Sequence, residues 1–193
     1  MVTRHPLAGQ VSLASGELST GSSLVERRLS EVRGIFADQD GVEAILCAGD
    51  PVVYRVWNVP IPELPGELQH CSTLIMPGRV GREYFMTKGH YHTRRDTAEV
   101  YICLRGEGRL LLETEDGRHD WQVMKPGTVS YIPPYWAHRT VNVGLEPFIF
   151  ISVYPGDAGH DYRTIELGGF AQVVVEEAGI PVVKLRSSLA GSR

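Results

Sequence analysis

His90 and His92 are separated by one residue, Glu99 follows seven positions after His92, and His138 stands further along the chain. Side chains alternate across an extended strand, so a His-x-His pair presents both imidazoles to one face. The polar run Thr93-Arg94-Arg95-Asp96-Thr97 reads as a hairpin loop. The apolar stretch after it, Glu99-Val100-Tyr101-Ile102-Cys103-Leu104, reads as a strand that opens on a carboxylate. Such a hairpin sets Glu99 beside the two imidazoles. Imidazole and carboxylate together suit a borderline divalent ion such as Fe, Zn, Ni, Co or Mn.

The rest of the chain looks like the frame that holds this cluster. From Pro51 onward it breaks into short apolar runs: 52–57, 72–76, 82–87, 99–104, 109–113, 119–124, 129–132, 140–143 and 148–154. Turn chemistry divides them, as at Pro77-Gly78, Gly106-Glu107-Gly108, Asp116-Gly117, Pro126-Gly127 and Pro133-Pro134. Many short strands at that spacing predict a β-sandwich or barrel. Two further strands are expected at 171–176 and 182–185, with a frayed tail from Arg186. Before Pro51 the pattern is weaker. Residues 1–23, rich in Gly and Ser, read as an irregular arm, and 23–36 as a short helix whose arginines, Arg27 among them, face solvent. Asp40-Gly41-Val42-Glu43 reads as the capping box of a helix over 41–47. The expected layout is an arm and short helix over 1–50 packing on a barrel over 51–186, with a frayed tail over 187–193.

Composition narrows the function. The 193 residues have 42% hydrophobic content, enough for one core, and a net charge of −4. No Lys/Arg-rich block stands out, so nucleic acid is not expected as a partner. Three cysteines far apart, with no Cys-x-x-Cys, point to reduced thiols. No leader pattern and no long apolar run is present, so a cytoplasmic protein with no membrane partner is expected.

The spacing carries a resemblance. His90-x-His92, Glu99 and Gly106, followed by Gly127, Pro133, His138 and Asn142, resemble the two motifs of the cupin superfamily. The chain departs from them twice. Six residues separate His92 from Glu99, so that loop must bulge, and Tyr135 stands where Gly is usual, which would put a side chain into the pocket. Thr87-Lys88-Gly89-His90-Tyr91-His92, Pro133-Pro134-Tyr135-Trp136-Ala137-His138-Arg139-Thr140 and Tyr154-Pro155-Gly156-Asp157-Ala158-Gly159-His160-Asp161-Tyr162 go further. They resemble the cupin-type glucose-6-phosphate isomerases found chiefly in archaea.

That resemblance implies an all-β fold, a single cupin double-stranded β-helix (jelly-roll) barrel, and a homodimer. It implies one divalent metal per subunit, natively Fe(II), with Ni, Mn, Co or Zn able to replace it, held by His90, His92, Glu99 and His138. The substrate would be a sugar phosphate, interconverted between glucose 6-phosphate and fructose 6-phosphate through a cis-enediol with Glu99 as base, or by a metal-assisted hydride shift. Thr73, Thr87 and Gly89 would meet the phosphate, with Tyr154, His160, Tyr101 and Tyr135 around the sugar or its phosphate end. Arg139, beside His138, is either a phosphate anchor or a structural partner. Two other functions suit a cupin: an Fe(II) dioxygenase, which oxygen uptake would reveal, and a sugar-phosphate sensor that binds without turnover.

Overall fold

The computed structural model describes residues 5–19 and 21–188. In chain order, strand β1 (Ser23–Arg28) leads into a short helix α1 (Leu29–Val32), a 3-10 turn (Arg33–Ile35) and helix α2 (Gln39–Ala48). Strands β2 (Val52–Asn58), β3 (Leu68–Ile75), β4 (Arg79–Val80), β5 (Glu83–Tyr84), β6 (Glu99–Arg105) and β7 (Gly108–Thr114) follow. Then come β8 (His119–Met124), β9 (Val129–Ile132), β10 (Trp136–Asn142), β11 (Phe148–Pro155), helix α3 (Arg163–Gly168), β12 (Gln172–Glu177) and β13 (Ile180–Leu185).

These strands pair antiparallel in one sheet of order β1-β2-β3-β11-β6-β9 and two smaller ones, β10-β7-β8 and β13-β12-β5-β4. The segment from β5 to His90 stitches the smaller sheets together: Glu83 pairs with Val175, Met86 bridges Val141, and His90 bridges His138. Ile75, Tyr101, Phe148 and Phe150 from the large sheet share one core with Leu110, Leu112, Val141 and Val174 from the others, and with Leu29, Val32 and Val42 of the helices. These antiparallel sheets around one core make the all-β barrel that the resemblance implies.

Alternation aims the chemistry inward. On β6, Glu99, Tyr101 and Cys103 are buried, while Val100 and Ile102 between them are less so. On β11 the inward row is Phe148, Phe150, Ser152 and Tyr154. Gly106 turns the chain between β6 and β7 at φ +77, and a Cβ there would lie 2.6 Å from the Pro147 carbonyl oxygen, so only glycine fits. Asn142 is a structural staple: its amide donates to Ile75 O and Glu146 O, both at 2.9 Å, and its carbonyl accepts from Gly144 N at 2.9 Å. Asn142→Ala would orphan all three backbone groups. It is expected to cost roughly 2–4 kcal/mol in urea unfolding, without changing metal content.

Several elements differ from the sequence expectation. Residues 23–28 are a strand paired with β2, Ser23 opposite Asn58 and Arg27 opposite Tyr54; only Leu29–Val32 is α-helical. A free sheet edge overrides a weak helical tendency. Helix α2 starts earlier than the Asp40 box suggests, because Asp38 is the N-cap and its carboxylate accepts from Gly41 N at 2.8 Å. Within 82–87 only Glu83–Tyr84 forms ladder strand, and β10 begins at Trp136, not Thr140, so His138 lies inside it. Helix α3 was not anticipated; Asp161 accepts from Thr164 N and Oγ1 at its start. Arg186 is tied down, donating to Ile35 O at 3.1 Å and Phe170 O at 3.4 Å, and the expected fraying over 189–193 falls outside the described residues. Among the described residues, no helix is long and apolar enough to cross a membrane.

Candidate active site

His90 and His138 face each other across an antiparallel bridge. His90 N donates to His138 O at 3.2 Å, and His138 N donates to His90 O at 3.0 Å. Their rings lie 4.3 Å apart, edge to face. His92 arrives two residues later, although this stretch is held by single bridges and not by a continuous ladder. The 93–97 loop then turns, with Thr97 N donating to Arg94 O, and β6 opens at Glu99. The longer gap before Glu99 is therefore absorbed in a compact turn. Glu99 Oε2 ends 3.0 Å from His92 Nε2 and 2.9 Å from His138 Nε2.

One donor atom each from His90, His92, Glu99 and His138 falls in a group whose members all lie within 4.8 Å of one another. The hydrogen bonds around this group set the tautomers. Thr97 Oγ1 donates to Arg94 O at 2.7 Å, which leaves it to accept at 2.8 Å from His92 Nδ1–H. His138 Nδ1 lies 3.3 Å from Trp136 O, which can only accept. Both Nε2 lone pairs are thereby turned toward the Glu99 carboxylate. Nε2 of His90 is buried with no hydrogen-bond partner, and buried Nε2 of His138 faces only the Glu99 carboxylate. Converging lone pairs and a carboxylate with no proton donor among them are what a divalent cation satisfies, so the donor set fits a metal.

Electrostatics agree. Burial, and then the charges of His138, His160 and His92, push the His90 imidazole well below its usual range, so it is neutral and able to ligate. Burial alone would raise the Glu99 carboxyl. The neighbouring His138, followed by His92, outweighs it and holds the group at about 2. Thr97→Val removes the acceptor that orients His92. It should weaken metal affinity by about 10–100-fold in a chelator competition, with the fold unchanged in circular dichroism.

The cluster opens on a cavity of about 480 Å³. Of the sequence candidates, Thr73, Thr87, Gly89, Tyr101, Tyr154 and His160 all line it. Tyr101 stacks 4.8 Å from Phe150 and meets the His138 ring edge to face at 5.7 Å. His160 stands at the mouth, open to solvent, stacked on Tyr162 with rings 5.9 Å apart. Tyr135 is the exception. Its backbone takes φ 71, the left-handed conformation that suits glycine, and the side chain is 59% exposed and away from the cavity. The expectation that it enters the pocket is corrected: the turn needs the conformation, and the ring points out.

Three cavity residues were not singled out from sequence. Lys88 was quoted within a motif and given no role. Arg27 was assigned to a solvated face. Tyr162 likewise stands within a motif and has no role assigned there. All three line the cavity. Lys88 was findable, being flanked by two candidates; Arg27 arrives only through the pairing of β1 with β2.

Arg95 braces the wall of the site. It donates to the carbonyl of His92, pairs with Asp161 at 2.7 Å and Glu115 at 3.0 Å, and lies 4.5 Å over the Tyr91 ring. Arg95, and then Thr164, hold the Asp161 carboxyl at about 2, against 3.8 normally. A carboxyl depressed in the folded state adds stability above its unfolded pKa and loses it as pH falls toward the folded one. Between about pH 4 and 2, Asp161→Asn should therefore show a shallower fall in unfolding free energy than the parent chain, read by urea titration at each pH.

Comparisons with known proteins agree with this geometry. A family model described as glucose-6-phosphate isomerase (GPI) matches residues 26–188. The glucose-6-phosphate isomerase of Pyrococcus horikoshii is 51% identical over 176 residues, covering 91% of this chain and 93% of that protein. That of Sinorhizobium medicae is 37% identical over 176 residues, covering 91% of this chain and 82% of the relative. Among solved structures, the formate complex of Lactobacillus farciminis oxalate decarboxylase aligns at 20% identity and a TM-score of 0.45, over 56% of this chain and 30% of that one. The barrel assignment rests on strand order and not on that partial overlap. A match spanning most of the chain, with relatives this similar over nearly their whole length, places the chain in the glucose-6-phosphate isomerase family.

Proposed function

We propose that this chain interconverts glucose 6-phosphate and fructose 6-phosphate at a divalent metal centre formed by His90, His92, Glu99 and His138. One observation carries the proposal: buried imidazole lone pairs without partners converge with a carboxylate beside a cavity large enough for a hexose phosphate. When bound, a divalent ion supplies Lewis acidity that stabilises negative charge developing on the sugar oxygens. Fe(II) is the ion we assign natively, and Ni, Mn, Co or Zn would compete for the same donors in a purified sample.

Glu99 divides its two oxygens between tasks. Oε2 faces His92 and His138, whereas no hydrogen bond or ion pair engages Oε1 among the described residues. We assign Oε1 as the base that takes the proton from C2 of the open-chain aldose and returns it to C1, while the O2 hydroxyl proton passes to O1, which conserves atoms through the enediol. A carboxyl held at about 2 is ionised at neutral pH, so it carries no proton of its own. The hydroxyls of Thr73 and Thr87, with the Lys88 and Arg27 cations, form the polar part of the cavity that suits the phosphate. Tyr154, Tyr101 and His160 enclose the sugar. We place the protein in the cytoplasm, in keeping with its free Cys47, Cys71 and Cys103, and as a homodimer by family resemblance.

Turnover of fructose 6-phosphate in D2O tests the proposal. Glucose 6-phosphate that carries deuterium at C2 in part of the product supports transfer through Glu99. Full transfer of the C1 hydrogen to C2 with no deuterium at any time point, together with unchanged turnover in Glu99→Gln, would remove Glu99 from proton transfer and leave the hydride shift. No glucose 6-phosphate at all would sink the isomerase assignment.

A further inference from the structure

A second cavity of about 310 Å³ lies where the 3-10 turn after α1, helix α3 and the strand carrying His138 come together. Gly34, Phe170, Lys88, Arg139 and Arg186 line it. Two carboxylates also reach it, and both are engaged: Glu31 with Arg27 and the backbone N–H of Arg28, Glu166 with Lys88 at 3.2 Å.

Arg139 is the unusual member. It is only 2% exposed, and its guanidinium lies 4.8 Å over the Phe170 ring. Nε and Nη2 both donate to the Lys88 carbonyl, which leaves Nη1 buried and without a partner among the described residues. A buried guanidinium N–H left unpaired is strongly unfavourable, and an oxyanion is the partner its geometry suits. Arg186 brings a second guanidinium to the same cavity, anchored by Ile35 O and the buried Glu83. Glu83 already answers Arg186 and Glu166 answers Lys88, so the donor left without a partner is Arg139 Nη1. Arg139 lines this cavity and not that of the metal cluster.

We propose that this cavity is a second anion site, which takes a phosphoryl oxyanion, free or as a small phosphomonoester, on Arg139 and Arg186. It adjoins the substrate cavity, with Lys88 and Glu166 on the wall between them, and does not depend on the isomerase assignment.

Calorimetric titration tests it, with inorganic phosphate and glycerol 3-phosphate as probes, in the presence of saturating glucose 6-phosphate and fructose 6-phosphate at equilibrium. The parent chain should bind about one equivalent of at least one probe per subunit; which probe binds tells free phosphate from a phosphomonoester. Gly34→Phe should block the site without removing a charge, because Gly34 lines the cavity and a Cβ there meets nothing within 4 Å. Arg186→Gln should weaken binding by about tenfold or more, with isomerase turnover within about twofold of the parent in both variants. No heat from either probe, or binding that survives both substitutions, would overturn the proposal. A parent chain that binds phosphate, loses it in Gly34→Phe and turns over no sugar phosphate would leave the anion site standing and remove the isomerase function.

Discussion

Glu99→Gln is expected to lower kcat for the isomerisation by about 10²–10⁴-fold, the range that a positioned general base contributes. Glutamine keeps the size of the side chain and one carbonyl oxygen toward the imidazoles, and it removes the basic oxygen. The loss should fall on kcat, because Thr73, Thr87, Lys88 and Arg27 still line the cavity unchanged. The neutral amide is a poorer metal donor, so metal content must be read on the same sample. A variant that holds metal and has lost turnover assigns Glu99 to the chemistry. A variant that holds metal and turns over within a few fold of the parent would leave it as a ligand only.

His138→Ala is expected to abolish both stable metal binding and measurable isomerase activity. His138 is 1% exposed, and its buried Nε2 faces only the Glu99 carboxylate, 2.9 Å away. Direct removal of a donor should exceed the loss of about 10–100-fold expected at Thr97, where only the orientation of a donor changes. The backbone bridge to His90 does not use the side chain, so the barrel should persist. Elemental analysis of the purified variant checks this. Metal at one equivalent per chain would show that the cluster is not the binding site.

Of the candidate metal cluster, His90, His92 and Glu99 were legible from local rules, and His138 from the resemblance of the motif around it. His-x-His depends on the period of a strand, Glu99 opens an alternating apolar run, and Gly106 marks a turn that tolerates no side chain. The barrel was legible for the same reason, since its strands are short and its turns carry Gly and Pro. What was missed depends on partners distant in sequence. Residues 23–28 become a strand only because β2 offers an edge, and that pairing carries Arg27 into the cavity. Tyr135 was misplaced because the sequence shows which residue occupies the turn and not the φ the turn demands. The second cavity joins Gly34, Arg139 and Arg186, which no window of the sequence brings together.

The account stands most directly on one assay. Fructose 6-phosphate is supplied to the purified protein and glucose 6-phosphate is measured before chelation with EDTA, after it, and after Fe(II), Mn(II), Ni(II) or Zn(II) is restored. The account predicts activity that disappears with the metal and returns with at least one of these ions, and that His138→Ala recovers with none. Full activity in protein shown by elemental analysis to be metal-free would contradict it.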